Sequence, residues 1–333
     1  MRITRDLLLS LARENSAKLA AKDRSLVCVY LVGSLLREDP FLGGVTDVDL
    51  VCVHDKEMKS TREIVRINAD IHLDITHLPQ SLFDNAHALR SDPWIGTSLD
   101  ESPLALRDLR HWFDFTRASV TGSLWRPQYV LERVNCFVGR ARQTWQLLVD
   151  DALPQGLKRS EAYLNTINDA VNGIACISGA PLTIRRLLLE LPERAAKLDM
   201  PDLTANCISL FTNDTFSEES WATWVPQWLG AFDAIATNKQ APLDLIPARK
   251  NYYWKAASEF AMDHPAAALW IMLRTWTQLA AVLPKSEPPY KEWQAFTRAL
   301  ELDGRGLPGR LEGLDDLLES VEASVEKWRT ENA

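Results

Sequence analysis

The chain has 333 residues, of which 46% are hydrophobic and 25% charged, and its formal net charge is −8. This length is sufficient for two domains with cores of their own, and the composition is that of an ordinary globular protein. The negative charge argues against a protein that holds a long nucleic-acid backbone, because such proteins present a basic face to the phosphates. The sequence contains no apolar run of about 18 residues, so no membrane partner is expected.

The N-terminal segment carries charged residues throughout, and it predicts an amphipathic helix rather than a signal peptide. The five cysteines form no CxxC pair. Their odd number fits buried thiols in a reducing compartment better than disulfides or zinc ligands. A cytoplasmic location is the expectation that follows.

The first apolar stretch, Leu26 to Val32, predicts a strand that ends at Gly33-Ser34. Glycine lets the backbone approach a ligand closely. Ser34, together with the N–H groups at the start of a short helix, can bind a phosphate. Arg37 lies in the following loop and is a further candidate for nucleotide contact.

Two aspartates open the second apolar stretch, which predicts a strand over residues 47 to 53. Alternation places Asp47 and Asp49 on one face, and Val48, Leu50 and Cys52 on the other. The two carboxylates repel each other, and a divalent cation such as Mg²⁺ removes that cost. A surface turn followed by a chance acidic pair is the alternative.

A third carboxylate follows in residues 71 to 76, which predict another strand with Asp74 and His72 on the same face. The intervening segment, Glu57 to Asn68, has helical spacing and predicts a helix. Beside the other two carboxylates, Asp74 could accept a proton from an attacking hydroxyl or complete the ligands of a metal. A solvated aspartate on an edge strand explains Asp74 equally well.

The order of these features resembles the DNA polymerase β-type nucleotidyltransferase superfamily. In that family a Gly-Ser turn holds the β- and γ-phosphates, an Asp-x-Asp pair binds two Mg²⁺, and a later Asp activates the acceptor hydroxyl. The resemblance assigns phosphate binding to Gly33 and Ser34. It assigns metal binding to Asp47 and Asp49, and it makes Asp74 the base or a third metal ligand.

The rest of the chain is similar in layout to the antibiotic (aminoglycoside-type) nucleotidyltransferases, in which a small catalytic domain precedes a long helical region. The Gly43-Gly44 pair and the segment YLNTINDAVNGIACISGAPLTIRRLLLELPE contribute to this likeness. The expected fold class is therefore α+β. A small mixed-sheet nucleotidyltransferase domain, residues 1 to 120, is followed by an all-α helical-bundle domain, residues 121 to 333, for acceptor binding or interaction.

Within this layout, Pro103 to Arg107 predicts a fourth strand that closes the sheet. The second domain contains six predicted helices: Gln128 to Asp150, Ser160 to Ile177, Thr183 to Lys197, Ser217 to Ala236, Pro265 to Leu283 and Leu311 to Arg329. Trp221, Trp224 and Trp228 lie on one face of the fourth of these. They either pack between helices or stack against an acceptor.

The predicted function is metal-dependent transfer of AMP from ATP to a hydroxyl of a small acceptor, and the net charge favours a cationic one. Lys158 and Arg186 are candidates for nucleotide binding, because departing pyrophosphate attracts a cation. Solvated helix charges are the alternative for both. The function itself has three alternatives: transfer to a protein or an RNA end, a non-catalytic nucleotide-binding module, and a structural scaffold. The sequence does not indicate an oligomeric state or exclude nucleic acid as an acceptor.

Overall fold

The computed structural model describes residues 3–109, 111–213, 217–238 and 241–332. Contacts within the chain define two compact units, Met1–Val130 and Leu131–Ala333. The first contains a sheet with helices, and the described part of the second consists of helices and their connections, so the predicted α+β class is confirmed. Compactness does not test the functional division near residue 120, which stays a prediction.

The first unit contains four helices and five strands among its described residues. They are α1 (Arg5–Lys22), β1 (Leu26–Val32), β2 (Val48–His54), β3 (Thr61–Arg66), β4 (His72–Pro79), α2 (Ala86–Ser91), α3 (Ile95–Ser98), β5 (Leu104–Asp108) and α4 (Trp112–Thr121). The strands form a mixed sheet in the order β3-β4-β2-β1-β5. Strands β2 and β4 run parallel, and the other neighbouring strands are antiparallel.

One face of the sheet packs against α1. This helix begins after Thr4, whose hydroxyl accepts a hydrogen bond from the backbone N–H of Leu7. Its Leu8 joins a buried cluster with Leu50 of β2 and Leu73 of β4. Because side chains alternate along a strand, the carboxylates beside these leucines project from the opposite face. The predicted alternation of β2 and β4 is confirmed.

The segment between β2 and β4 is a strand, so the helix predicted for Glu57 to Asn68 is wrong. Strand β3 pairs antiparallel with β4 over its whole length. The β-branched residues Thr61, Ile64 and Val65 suit an extended backbone, and the edge of β4 supplies their hydrogen-bond partners. These tertiary hydrogen bonds override the weak helical spacing.

Strand β3 also changes the position of Asp74. With β3 on one side and β2 on the other, β4 lies inside the sheet, and Asp74 is only 6% exposed. The alternative of a solvated edge-strand aspartate is therefore wrong. The strand predicted from Pro103 is confirmed as β5, which forms the opposite edge of the sheet.

The remaining helices are α5 (Pro127–Val149), α6 (Leu157–Ser178), α7 (Leu187–Ala196), α8 (Leu203–Ser209), α9 (Glu218–Ala234), α10 (Lys250–Asp263), α11 (Pro265–Ala280), α12 (Pro288–Ala299) and α13 (Leu307–Asn332). All six predicted helices are present, and α8, α10 and α12 were not predicted. Helix α6 begins after Gly156, earlier than expected. Ser160 is consequently buried within it and donates to the carbonyl oxygen of Leu302 at 3.2 Å.

Helix α11 is almost entirely buried in the second unit. The indole N–H of Trp228, on α9, donates to the hydroxyl of Thr275 on α11 at 3.0 Å. Trp224 packs edge-on against Phe296 of α12, with ring centroids 4.8 Å apart. Trp224 and Trp228 therefore fill a helix-packing core. None of the helices in the described ranges combines the length and apolar character needed to span a membrane.

Candidate metal and nucleotide site

The Gly33-Ser34 turn directly follows β1. Gly33 has φ 82° and ψ −164°, a conformation that is open almost exclusively to glycine. Ser34 begins a short 3-10 helix, Ser34–Leu36, and its hydroxyl lies 2.6 Å from the hydroxyl of Thr46. The side chain of Arg5 holds this turn by donating to the carbonyl oxygens of Leu35 and Leu36 at 3.1 and 3.3 Å. Contacts with Thr46 on one side and Arg5 on the other therefore hold the predicted turn in place.

The loop between this turn and β2 folds back on itself at Gly43-Gly44. Both glycines have positive φ, 63° and 70°. Leu42 and Val45 exchange backbone hydrogen bonds across them at 3.1 and 3.3 Å. Two consecutive positive φ values characterise a tight hairpin turn. This turn brings Thr46 back beside Ser34, and Asp47 follows immediately.

The structure brings the three predicted aspartates together. Asp49 and Asp74 are aligned partners in the parallel pair of β2 and β4, and Asp47 immediately precedes β2. One oxygen from each of the three carboxylates lies within 4.8 Å of the others. Asp47 is 4% exposed and Asp49 is half-buried. His72 adjoins the group, with its Nε2 4.0 Å from Oδ2 of Asp47.

Gly33 and Asp49 are in close contact, which joins the turn to the carboxylates. Val32 is paired with Asp49 across β1 and β2, so the residue after Val32 meets the aspartate side chain. A Cβ atom at position 33 would lie 2.1 Å from Oδ2 of Asp49. The absence of a side chain at Gly33 therefore leaves the space that the Asp49 carboxylate fills. This contact explains why a glycine is needed there beyond its backbone conformation.

Arg62 is a residue of the site that the sequence interpretation missed. Its Nε donates to Oδ1 of Asp74 at 2.7 Å, and its Nη2 donates to Oδ2. This two-pronged contact orients the carboxylate. The error arose because Arg62 lies in the segment predicted as a helix. The β-branched residues of TREIVRI were the signal that favoured a strand, with Arg62 beside the neighbouring strand β4.

The charges of the cluster fit a divalent cation. Two carboxylates within 4.8 Å of each other repel by at least about 3 kcal/mol at an effective dielectric constant of about 20. One guanidinium offsets part of this repulsion among three carboxylates. Oxygen ligands of a single Mg²⁺ are about 2.9 Å apart when adjacent and about 4.2 Å when opposite. The oxygens are therefore close enough to share an ion after adjustment. Asp47 and Asp49 would hold it, and Asp74 would be either a third ligand or a base.

The three predicted basic residues each approach a carboxylate. Nη2 of Arg37 lies 3.5 Å from Oε1 of Glu101. In the second unit, Lys158 contacts Glu161 at 3.0 Å, and Arg186 contacts Glu190 at 3.5 Å. Lys158 and Glu161 both lie in α6, whereas Arg186 directly precedes α7 and contacts Glu190 in its first turn. Nucleotide binding by Arg37, Lys158 and Arg186 stays a prediction.

A second group of possible metal ligands in the described residues consists of Asp108, His111 and Asp114. His111 and Asp114 are exposed, and Asp108 accepts a hydrogen bond from the backbone N–H of Phe113 at 3.1 Å. This arrangement caps the start of α4, so it has a structural explanation. The buried cluster around Asp49 is the stronger candidate site.

Comparison with known proteins gives no match, either to a protein-family model or to a curated protein. The functional interpretation therefore depends on the geometry of this site and on the resemblance of its motifs.

Proposed function

We propose that the protein is a metal-dependent nucleotidyltransferase that moves a nucleoside monophosphate, AMP from ATP, to a hydroxyl of a small acceptor. The observation that carries this proposal is the convergence of Asp47, Asp49 and Asp74 next to the Gly33-Ser34 turn. A phosphate-binding turn beside a cation-binding cluster is the arrangement that a nucleoside triphosphate requires.

The residues of the chain have separate tasks in this proposal. Asp47 and Asp49 bind the divalent cation, and Ser34 positions the terminal phosphates. Asp74 accepts the proton of the acceptor hydroxyl while Arg62 holds its carboxylate in place. Bound Mg²⁺ supplies positive charge that stabilises the negative charge developing on the phosphates. Positioning contributes most of the remaining rate enhancement, because the reactants are held in line.

The net charge of −8 supports a small and cationic acceptor rather than a polynucleotide. The resemblance to antibiotic nucleotidyltransferases supports the same class, so aminoglycosides are suitable acceptor probes. Transfer to a protein side chain or to an RNA end keeps the same chemistry, and these acceptors belong in the same screen.

One observation favours a second candidate, a nucleotide-binding module without catalysis. Arg62 occupies both oxygens of Asp74. The guanidinium uses one lone pair on each oxygen, so fewer remain for an acceptor hydroxyl. In this alternative the protein binds Mg²⁺ and nucleotide but transfers nothing.

The test compares the wild type with Asp49→Asn and with Asp55→Asn, an exposed aspartate just after β2. Thermal unfolding is measured with each NTP, with and without Mg²⁺. We expect a Mg²⁺-dependent rise in Tm for the wild type and Asp55→Asn, and none for Asp49→Asn. An equal rise in all three proteins would contradict the proposed site.

Pyrophosphate release then separates transfer from binding. With NTP, Mg²⁺ and an acceptor probe, we expect release by the wild type. Asp74→Asn should retain the nucleotide-dependent rise in Tm and lose release. Loss of both would make Asp74 a metal ligand first. Binding without release for every acceptor in the screen would support the non-catalytic module.

A further inference from the structure

A second polar cluster lies in the first unit, at the far end of β2 from Asp49. It lines a pocket of about 360 Å³ that is bordered by His54, His77, Asp23, Glu63 and Met58, among others. His54 ends β2 and is 3% exposed, and its imidazole faces that of His77 on the neighbouring strand β4. Nothing in the proposed nucleotidyl transfer uses this cluster.

The cluster is a continuous chain of polar contacts. Nε2 of His54 is 2.9 Å from Nδ1 of His77. The other nitrogen of His54, Nδ1, is 3.0 Å from the hydroxyl of Ser25. The other nitrogen of His77, Nε2, is 3.4 Å from Oε1 of Glu63. Ser25 in turn donates its hydroxyl proton to Oδ1 of Asp23 at 2.7 Å.

The two carboxylates at the ends of this series of polar contacts, Asp23 and Glu63, influence where the ring protons lie. Oδ1 of Asp23 accepts the hydroxyl proton and the backbone N–H of Ser25 at 2.7 and 2.9 Å, and Oδ2 accepts from Lys56 at 3.0 Å. The Ser25 hydroxyl has given its proton to Asp23 and must accept from Nδ1 of His54. The Glu63 carboxylate likewise accepts from Nε2 of His77. When both outer contacts are made, both ring protons lie on the outer nitrogens.

In that arrangement the 2.9 Å contact between the inner nitrogens has no proton to share. The three contacts of the two rings need three protons, and two neutral imidazoles carry only two. A third proton would make a buried cation. His54 is 3% exposed, so water could not solvate that charge well. Moving a proton to the inner side would break one of the outer hydrogen bonds.

A metal ion bound by the two inner nitrogens removes the need for a third proton, because each ring then donates only from its outer nitrogen. We propose that Nε2 of His54 and Nδ1 of His77 bind one divalent transition-metal ion of the class that imidazole prefers, such as Zn²⁺. Two nitrogens on one tetrahedral Zn²⁺ are about 3.3 Å apart, so the rings need to separate by only about half an ångström. Ser25 and Glu63 then hold the outer nitrogens, the arrangement that orients metal-binding histidines in general.

The remaining ligands are water molecules from the pocket. Within the described residues, no third His, Cys, Asp or Glu forms a group with these two nitrogens in which all ligand atoms lie within 4.8 Å of one another. Cys52 also lines the pocket, and its Sγ forms no such group with the two nitrogens. The site therefore has open positions, and its affinity should be lower than that of a closed four-ligand site.

The experiment uses the full chain labelled with ¹⁵N-histidine, in buffer that contains Mg²⁺ to compete for the carboxylate site. Zn²⁺ is added during NMR observation of the ring nitrogens, and its affinity is measured by calorimetry. We expect metal-dependent shifts of Nε2 of His54 and Nδ1 of His77, while their outer nitrogens keep their protons. Resonances are assigned from His54→Asn and His77→Gln.

The variants should differ in their affinity for Zn²⁺. His77→Gln should abolish binding at this site, and this variant should fold because His77 is only partly buried. Ser25→Ala should weaken binding by about 10-fold, as is usual for an outer-shell partner. The control His87→Gln, in α2 and outside the residues that border this pocket, should bind like the wild type. Inner nitrogens that do not shift at saturating Zn²⁺, or unchanged affinity in His77→Gln, would overturn the proposal.

Discussion

Substitution of Gly33 by alanine tests the contact that joins the Gly-Ser turn to the carboxylate cluster. The new Cβ would lie 2.1 Å from Oδ2 of Asp49, whereas an ordinary contact of this kind is about 3.4 Å. The carboxylate must therefore move by about 1.3 Å or the turn must shift. Gly33→Ala should consequently damage the site as well as the stability of the fold.

The two effects have different magnitudes. The backbone conformation of Gly33, with φ 82° and ψ −164°, costs an alanine about 1–3 kcal/mol. Crowding against Asp49 adds about 1–3 kcal/mol of overpacking. A displacement of about 1 Å in a reacting group can reduce a rate by about 100-fold, so transfer should fall by about that factor or more. Binding of Mg²⁺ and nucleotide should weaken as well.

The assay combines urea unfolding with Mg²⁺-dependent nucleotide binding by calorimetry. Gly156→Ala is the matched control, because Gly156 has φ 81° and ψ −134° and a Cβ there would meet nothing within 4 Å. Both variants should lose stability from the backbone, and Gly33→Ala should also lose binding. Normal nucleotide affinity in Gly33→Ala, or an equal loss in Gly156→Ala, would refute the reasoning.

Three further predictions concern the interactions around the two clusters and the helical core. Arg62→Gln should destabilise the metal-free protein by about 1.5–3 kcal/mol, because the charged hydrogen bonds to Asp74 are lost. Urea unfolding should also show that Mg²⁺ stabilises this variant more than it stabilises the wild type. The lowered pKa of His54 means that the unfolded chain binds more protons below about pH 6.5, so the urea midpoint should rise with pH up to that value and then level off. Thr275→Val should cost about 1–3 kcal/mol, because the buried indole N–H of Trp228 loses its acceptor.

Each of these predictions has a control. Arg66→Gln changes an exposed arginine on the same strand, β3, and should leave the Mg²⁺ dependence unchanged. His54→Asn should flatten the pH profile below about pH 6.5. Thr223→Val removes a hydroxyl on the exposed side of α9 and should be nearly neutral. Arg66→Gln or Thr223→Val with the same effect as its paired variant would show that the named contact is not responsible. A wild-type pH profile in His54→Asn would do the same for His54.

Local sequence patterns predicted much of the first unit. A continuous apolar stretch predicted β1, whose two faces are both buried. Alternation predicted β2 and β4, because one face of each is buried with α1. The same alternation placed Asp49 and Asp74 on the opposite face. It did not predict that they would be aligned partners, since the parallel pairing of β2 with β4 is a tertiary contact.

The wrong helix between Glu57 and Asn68 shows the limit of periodicity. A short segment with few apolar residues carries little information of its own, and the free edge of β4 determined its conformation. The position of Arg62 on Asp74 depended on that pairing, so this contact was also missed. In the second unit, α10 and α12 were missed although helical character was expected there.

The sequence by itself determined the residue types of the candidate site and the faces on which they lie. Gly33, Asp47, Asp49 and Asp74 were identified from spacing, because a glycine turn and crowded carboxylates have few uses in an apolar strand. Only the tertiary structure decided what they contact. Strand order brought the carboxylates together and placed Asp49 against Gly33, and it also paired His54 with His77, two residues far apart in the chain. Pairing between distant strands depends on the whole sheet, which no local pattern specifies.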